Sequence, residues 1–138
     1  MPRRDKAHLA VRHALQKEGW IITHDPLLLE YGGTNLFVDL GAEQPLGAEK
    51  EGQQIAVEIK GFQSPSDMNE WEKALGQYLF YEFLLEEQYP GRVLFLAMPD
   101  EAYHRVFQDA RGLEFIRSRG IRLLTYLEVE EEVKEWIH

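Results

Sequence analysis

The stretch Gln54-Ile-Ala-Val-Glu-Ile-Lys-Gly-Phe62 places two opposite charges inside an apolar run rich in β-branched residues. Successive side chains of a strand point to opposite faces, so the run predicts a strand whose isoleucines and Val57 share one face. Glu58 and Lys60 then lie together on the other face. Because an unpaired buried charge is costly, a sheet interior keeps such a pair only when it is paired, hydrated or bound to a ligand.

Length and composition bound the class of protein. At 138 residues with 44% hydrophobic content, we expect a single domain over 1–138 with one sizeable core. The chain has no cysteine, which excludes disulfides, thiol nucleophiles and cysteine zinc sites and is typical of a reducing cytoplasm. We see no signal peptide and no run near the ~20 apolar residues that a membrane span needs, so we expect a cytoplasmic protein without a membrane partner.

The charge balance limits the kind of nucleic-acid contact. A net charge of −9 argues against non-specific coating of nucleic acid, which depends on Lys and Arg neutralising phosphates. It leaves room for a local DNA site. Acidic totals are also common among enzymes whose carboxylates are partly neutralised by a bound metal.

The elements before the charged strand are predicted from periodicity and turn residues. In order, they are a helix over Asp5–Glu18 ended by Gly19, a strand over Trp20–His24, a segment of undecided type over Leu27–Tyr31, a turn over 32–35, a strand over Leu36–Gly41, and a hairpin loop or polar connection over 42–53. Alternation in the strand over Leu36–Gly41 places Val38 and Leu40 on one face and Asp39 on the other. If this strand pairs with the charged one, Asp39 and Glu58 come within the ~5–8 Å of cross-strand neighbours.

The elements after it alternate between helix and strand. They are a long helix capped at Ser66 or Asp67 and running to about Glu87, a strand over Arg92–Met98, one or two helices over Glu101–Arg119 interrupted near Gly112, a strand over Ile121–Tyr126, and an acidic tail ending as a helix at Trp136-Ile137. The fold class is therefore α/β, a mixed central sheet flanked by helices.

Three further side chains could join the charged strand. His8 falls at the border of the first helix's apolar stripe, a position more typical of packing than of a ligand. Gln77 and Tyr81 lie one turn apart on one face of the long helix, a spacing that taken alone favours packing and solvation.

The order of these motifs resembles the PD-(D/E)xK nuclease superfamily. Val38-Asp39 on one strand, followed by Glu58-Ile59-Lys60 on the next, carries the likeness within an αβββαβ order. Gln77-Tyr-Leu-Phe-Tyr81 also resembles the Gln-x-x-x-Tyr element of nucleases in the RecB and lambda-exonuclease branches. The resemblance implies a restriction-endonuclease-like αβββαβ core.

A closer resemblance, over nearly the full length, is to the XisH-like proteins, controlling factors for excision of the cyanobacterial fdxN element. It is carried by the phrases Gly19-Trp20-x-Ile-Thr-His24-Asp-Pro26, Phe37-x-Asp-Leu-Gly-Ala-Glu43, Ile55-Ala-Val-Glu-Ile-Lys60, Ala74-Leu-Gly-Gln-Tyr78 and Trp136-Ile137. That family implies site-specific DNA excision beside a recombinase and a small companion protein. DNA and those two proteins are thus the expected partners, and a homodimer stays open.

The chemistry implied is metal-assisted phosphodiester hydrolysis. Asp39, Glu58 and the backbone carbonyl of Ile59 would bind Mg²⁺ or Mn²⁺, hard cations that take carboxylates and keep several waters. Lys60 would position the attacking water or stabilise the transition state. His8 lies about where members of the superfamily place an acid or a histidine on the first helix.

Two other interpretations stay open beside this endonuclease. The chain could keep the nuclease fold as a DNA-binding or protein-binding accessory factor that directs a recombinase without cutting, since fold alone does not set activity. The net charge of −9 favours that accessory role. Alternatively, Glu58 and Lys60 could form a purely structural pair.

Overall fold

A computed structural model of the protein describes residues 3–44 and 52–138, so most of the predicted connection over 42–53 lies outside the described residues. The elements, in chain order, are α1 (Arg3–Lys17), β1 (Ile21–His24), β2 (Leu27–Tyr31), β3 (Thr34–Val38), β4 (Leu40–Gln44), β5 (Gln53–Ile59), α2 (Asp67–Gln88), β6 (Arg92–Pro99), α3 (Asp100–Val106), α4 (Ala110–Arg119), β7 (Leu123–Leu127) and β8 (Glu132–Ile137). None of the helices in these ranges is long and apolar enough to cross a membrane.

Six of the strands form one mixed sheet in the order β1-β4-β5-β6-β7-β8. The pairs β5–β6 and β6–β7 are parallel, and α2 and the α3–α4 pair make the crossovers between them. The remaining pairs β1–β4, β4–β5 and β7–β8 are antiparallel. The predicted fold class, a mixed α/β sheet flanked by helices, is confirmed.

The core lies on both faces of this sheet because β5 and β6 are covered on each side. On one face, Ala56 of β5 packs in a cluster with α2, α3, α4 and the β2–β3 hairpin. On the other, Ile55 and Val57 pack against α1 together with Trp20. The alternation predicted for the charged strand is therefore observed, and Glu58 lies on the face covered by α2.

The segment of undecided type is a strand. β2 pairs antiparallel with β3 as a separate hairpin, from Leu27 opposite Val38 to Tyr31 opposite Thr34. Gly32 and Gly33 make the two-residue turn with φ of +54° and +82°. Two positive φ values suit the right-handed twist of a tight hairpin, and glycine adopts them without steric cost.

The predicted strand over Leu36–Gly41 is wrong as a single element. It divides at Asp39 into β3, which belongs to the hairpin, and β4, which belongs to the main sheet. Val38 consequently packs in the cluster around α2, whereas Leu40 packs in the cluster around α1. The expectation that these two residues share a face fails because the chain changes sheets between them.

The predicted C-terminal helix is also wrong, since residues 132–137 form the edge strand β8. Val133, Trp136 and Ile137 have helical spacing, but β8 pairs with β7 with Thr125 opposite Glu135 and Tyr126 opposite Val133. The shift leaves one extra residue in β8, a β-bulge that turns Val133 and Trp136 to the same face. The Trp136 ring then lies 5.0 Å from that of Phe95, a packing gain that overrides the local pattern.

The helical region after β6 breaks earlier than predicted. The interruption lies between Val106 and Ala110, where the Asp109 side chain caps α4 by accepting a hydrogen bond from the Arg111 amide at 2.9 Å. Gly112 lies inside α4, where a Cβ would come 2.8 Å from the Phe107 ring. Glycine is thus required there by close packing instead of by a helix end.

Tyr78 of α2 ties the helix to β6 and to the residue before β7 through one buried hydroxyl. It donates to the Leu94 carbonyl at 3.1 Å and accepts from the Arg122 amide at 3.1 Å. Tyr78→Phe leaves both backbone groups short of a partner, so we expect a loss of about 1–3 kcal/mol in the free energy of unfolding. Urea denaturation followed by circular dichroism measures it. Tyr31→Phe, at an exposed ring, is the control and should leave the midpoint unchanged.

Candidate functional site

The candidate site is a cleft of about 700 Å³ where β5 ends beneath α1 and α2. Its walls come from α1, the β2–β3 hairpin, the residues following β5, and α2. The lining residues are Ala7, His8, Asn35, Leu36, Phe37, Asp39, Glu58, Ile59, Lys60, Gly61, Phe62, Gln63, Glu70, Gln77 and Tyr81. All six residues predicted as side-chain members of the site, and Ile59, therefore line one cavity.

Glu58 and Asp39 are held together by reciprocal hydrogen bonds across the end of the β4–β5 ladder. The Asp39 amide donates to Glu58 Oε1 at 3.3 Å, and the Ile59 amide donates to Asp39 Oδ2 at 2.8 Å. The ladder above them pairs Leu40 with Val57, so the Asp39 carboxylate replaces the backbone acceptor that the next pair would supply. This exchange ends the ladder at Asp39, where the chain passes from the hairpin strand β3 into β4, and keeps both carboxyl groups in contact.

Lys60 completes the predicted triad. Its Nζ lies 3.5 Å from Glu58 Oε2, and its side chain is about a quarter exposed, against 7% for the Glu58 side chain. Its backbone amide donates to the Ala97 carbonyl of β6 at 2.9 Å, which anchors the segment after β5. The ammonium group thus extends from a fixed backbone into the open part of the cleft.

The environment of Glu58 favours the neutral carboxyl group. Glu58 is only 5% exposed. Burial, followed by repulsion from the Asp39 carboxylate, raises the pKa of Glu58 from 4.5 to about 8, and attraction to Lys60 opposes that rise. The hydrogen bond from the Asp39 amide also lowers the pKa of Glu58, whereas a side-chain hydrogen bond with Asp39 raises it by less. The pair therefore holds an extra proton near neutral pH, which a bound cation would displace.

Gln77 and Tyr81 reach the cleft from the same face of α2. The Gln77 Nε2 group donates to the Tyr81 hydroxyl at 3.0 Å, and Tyr81 is buried. The Gln77 Oε1 atom is buried and has no partner among the described residues. This oxygen can accept a hydrogen bond from a donor group of a ligand in the cleft.

His8 reaches the cleft from α1, but its ring is held from outside the predicted set. The Nε2 atom lies 2.7 Å from Asp25 Oδ1, and Arg12 also binds the Asp25 carboxylate. The predicted strand over Trp20–His24 stops one residue before Asp25, which was not among the predicted site residues. Nothing in its local pattern shows the contact, because α1 and β1 meet only in the folded chain.

The sequence also missed part of the walls. Asn35 and Phe37 enter through the hairpin, whose separate existence was not predicted, and Phe37 is half exposed at the rim. Glu70 could have been predicted from the sequence as a lining residue, because it precedes Gln77 by two helical turns and the two therefore share a face of α2. The cleft thus carries three carboxylates.

The cleft offers oxygen ligands to a divalent cation but no closed cage of side chains. Within residues 3–44 and 52–138, no group of three or more His, Cys, Asp and Glu side chains converges on one point. Two adjacent carboxylates and a backbone carbonyl suit Mg²⁺, which is commonly bound by one or two carboxylates and keeps several waters. They do not make a closed protein cage. Asp39 and Glu58 therefore have the chemistry to hold a hydrated magnesium or manganese ion, and the Ile59 carbonyl would be a third oxygen ligand.

Fold and site together define a mixed α/β domain whose central sheet carries a buried carboxylate pair and a lysine at the end of one strand. The chain belongs to the XisH family, because the family model described as XisH protein matches residues 1–134. No curated protein matches the sequence.

Two solved structures are similar to this one over almost their whole length. The crystal structure of an XisH family protein from Nostoc punctiforme PCC 73102 is 38% identical, with a TM-score of 0.84 and coverage of 97% of this chain and 100% of that one. A fdxN element excision controlling factor protein from Anabaena variabilis is 39% identical, with a TM-score of 0.84 and coverage of 98% and 100%.

The Glu58 carboxyl makes the metal-free protein sensitive to alkaline pH. Its folded pKa of about 8 exceeds its ordinary 4.5, so its contribution to stability is complete below about pH 4.5 and disappears as pH rises through about 8. Glu58→Gln keeps the neutral form, so its stability relative to wild type should rise between pH 5.5 and 9 in EDTA. Urea midpoints at both pH values measure this.

Asn35→Ala, a non-titrating residue of the same cleft, is the control for this experiment. Its difference from wild type should be the same at both pH values. A Glu58→Gln curve that runs parallel to wild type over this range would contradict the buried, proton-sharing pair.

Proposed function

We propose that the protein is a metal-dependent phosphodiester hydrolase that cuts DNA during the excision of a DNA element. The observation that carries the proposal is the buried Glu58 carboxyl, held against Asp39 with the Lys60 ammonium 3.5 Å away in an open cleft. A pair that served only stability would gain little from such burial, since desolvation offsets the attraction between the charges.

The charge of the cleft supports a requirement for a cation. Asp39, Glu58 and Glu70 face the cavity, and Lys60 is the lysine that lines it. A phosphate diester is an anion, so carboxylates alone would repel it. The carboxylate pair would therefore need a divalent cation, whose charge would offset that of the carboxylates and allow the phosphate to bind.

Each residue then has a defined task. Asp39 and Glu58 would hold the cation in place of their shared proton, with the Ile59 carbonyl as a further protein ligand. When bound, such a cation would supply Lewis-acid chemistry toward the phosphate and a water molecule. Lys60 donates hydrogen bonds to the attacking water or to the oxygens that gain charge in the transition state.

The other predicted site residues act on orientation. Gln77 presents its buried Oε1 acceptor and Tyr81 its hydroxyl to the group that lies in the cleft. His8, held by Asp25, lies beside the cavity as a proton donor or acceptor for the leaving group. Phe37, half exposed at the rim, offers a ring on which an unpaired base can stack.

Resemblance supports the same reaction. Asp39 followed by Glu58-x-Lys60, with Gln77-x-x-x-Tyr81 on the next helix, resembles the PD-(D/E)xK superfamily with its restriction-endonuclease-like fold. The similar protein from Anabaena variabilis is described as a fdxN element excision controlling factor. We therefore propose that the substrate is DNA, cleaved during excision of a DNA element. The proposed partners are a site-specific recombinase and a small companion factor, and the proposed location is the cytoplasm.

A second candidate function is an accessory factor that binds DNA or a recombinase without cutting. The observation in its favour is that the His8 Nε2 atom already binds Asp25 instead of the carboxylate pair. The net charge of −9 also favours a protein partner over direct contact with phosphates.

Lys60→Ala separates catalysis from binding of the cation. If Lys60 stabilises the transition state, its loss should lower the rate of DNA cleavage by about 10²–10³-fold while the fold and Mn²⁺ binding remain. Cleavage of supercoiled, branched and single-stranded DNA with Mg²⁺ or Mn²⁺ is followed on gels. Lys134→Ala, at an exposed position of β8, is the matched control and should cut at the wild-type rate.

Two results would contradict these roles. Mn²⁺ binding by the wild-type protein with every one of these substrates left intact would contradict hydrolysis and favour the accessory function. Cleavage that persists in Lys60→Ala would contradict the role of Lys60 and assign the cutting to a contaminant or to another site.

A further inference from the structure

The outer face of α2 carries a stripe of large apolar side chains that the fold leaves uncovered. Leu79, Phe80 and Phe83 are 45%, 39% and 67% exposed. They lie on the face opposite Ala74, Tyr78 and Leu85, which pack in the core. Single exposed apolar residues are ordinary, but three on one helical face form a contiguous surface that favours a partner.

Both ends of the stripe have distinctive residues. One turn before Phe80 is the exposed Gly76, where an added Cβ would meet nothing within 4 Å. One turn further back is Lys73, and one turn after Phe83 are Glu86 and Glu87, all exposed. Spacings of three and four residues put this whole set on one side of the helix.

We propose that this surface binds a second copy of the chain, with the two α2 helices antiparallel about a two-fold axis midway between Leu79 and Phe80. Such an axis exchanges Gly76 with Phe83, so each Phe83 ring enters the gap above the partner's Gly76. It also exchanges Leu79 with Phe80, which stack at the centre. A two-fold interface must be complementary to itself, and this stripe meets that condition.

Charge selects the antiparallel arrangement. The same axis exchanges Lys73 with Glu86, so each end of the interface gains a pair of opposite charges. The axis also places Glu72 of one copy opposite Glu87 of the other. Lys73 lies beside Glu72 and offsets the repulsion between the two carboxylates. Parallel helices would instead place lysine against lysine and glutamate against glutamate.

The neighbouring hairpin extends the surface. The Tyr31 ring contacts the Phe80 ring edge-on at 5.0 Å, and Tyr31 is itself more than half exposed. Because Gln77 and Tyr81 of the same helix line the cleft, pairing through α2 sets the two clefts of a dimer in a fixed relation. This proposal is independent of whether the cleft cuts DNA.

Sedimentation of the full-length chain tests the surface. Wild type should show a dimer fraction that rises with concentration. Phe83→Ser should raise the dissociation constant of the dimer by roughly a hundredfold. Val129→Ser, at a 91% exposed residue in the turn before β8, should leave it unchanged. A wild-type monomer up to the solubility limit, or a dimer unaffected by Phe83→Ser, overturns the proposal.

Charge reversal tests the orientation. Lys73→Glu and Glu86→Lys should each weaken the dimer by about tenfold, and mixing the two variants should restore wild-type affinity, because each mixed pair again joins opposite charges. Failure of the mixture to recover contradicts the antiparallel pairing. Circular dichroism checks that each variant keeps its helix content.

Disulfide crosslinking can test the interface without competing native disulfides, since the chain has no cysteine of its own. Leu79→Cys lies next to the proposed axis and should form a disulfide-linked dimer on mild oxidation, whereas Val129→Cys should stay monomeric. Equal crosslinking of both variants would show random collision instead of this interface.

Discussion

The contact between the buried Glu58 carboxyl and Asp39 is the constraint on which the rest of the structure depends. The reciprocal hydrogen bonds of this pair end the β4–β5 ladder at the point where the chain passes from the β2–β3 hairpin into the main sheet. The hairpin that precedes Asp39 supplies one wall of the cleft. A single pair of residues therefore determines both where the sheet stops and where the cavity begins.

Burial makes this pair costly and chemically useful for the same reason. Exclusion of water raises the pKa of Glu58 to about 8, so the two carboxyl groups share a proton unless a cation displaces it. Lys60 offsets part of the repulsion but remains within reach of the cavity. Side chains with strongly shifted pKa values are common at functional sites, because an arrangement that costs stability is retained where it serves binding or catalysis.

The sequence predicts the site more completely than it predicts the path of the chain. Alternation in β5 correctly places Glu58 and Lys60 on one face, and helical spacing correctly brings Gln77 and Tyr81 together, because these contacts are local. The division of one expected strand at Asp39 and the strand at residues 132–137 were missed. Both depend on pairing with distant segments, and the helical spacing of Val133, Trp136 and Ile137 actively favours the wrong element.

Contacts between distant elements account for the remaining gaps. Asp25 holds His8 only because β1 ends beside α1, and neither segment carries a pattern that reports the other. Glu70 could have been found from its spacing to Gln77, whereas Asn35 and Phe37 could not without the hairpin.

If the buried, proton-sharing carboxylate pair is a cation site, binding of the cation must release the shared proton, and that proton is the most direct test. Mn²⁺ is titrated calorimetrically into the protein at pH 7 in two buffers of different ionisation enthalpy. Binding should release about one proton per ion in wild type and none in Glu58→Gln. Absence of binding, or a heat of binding that does not depend on the buffer, would contradict the account.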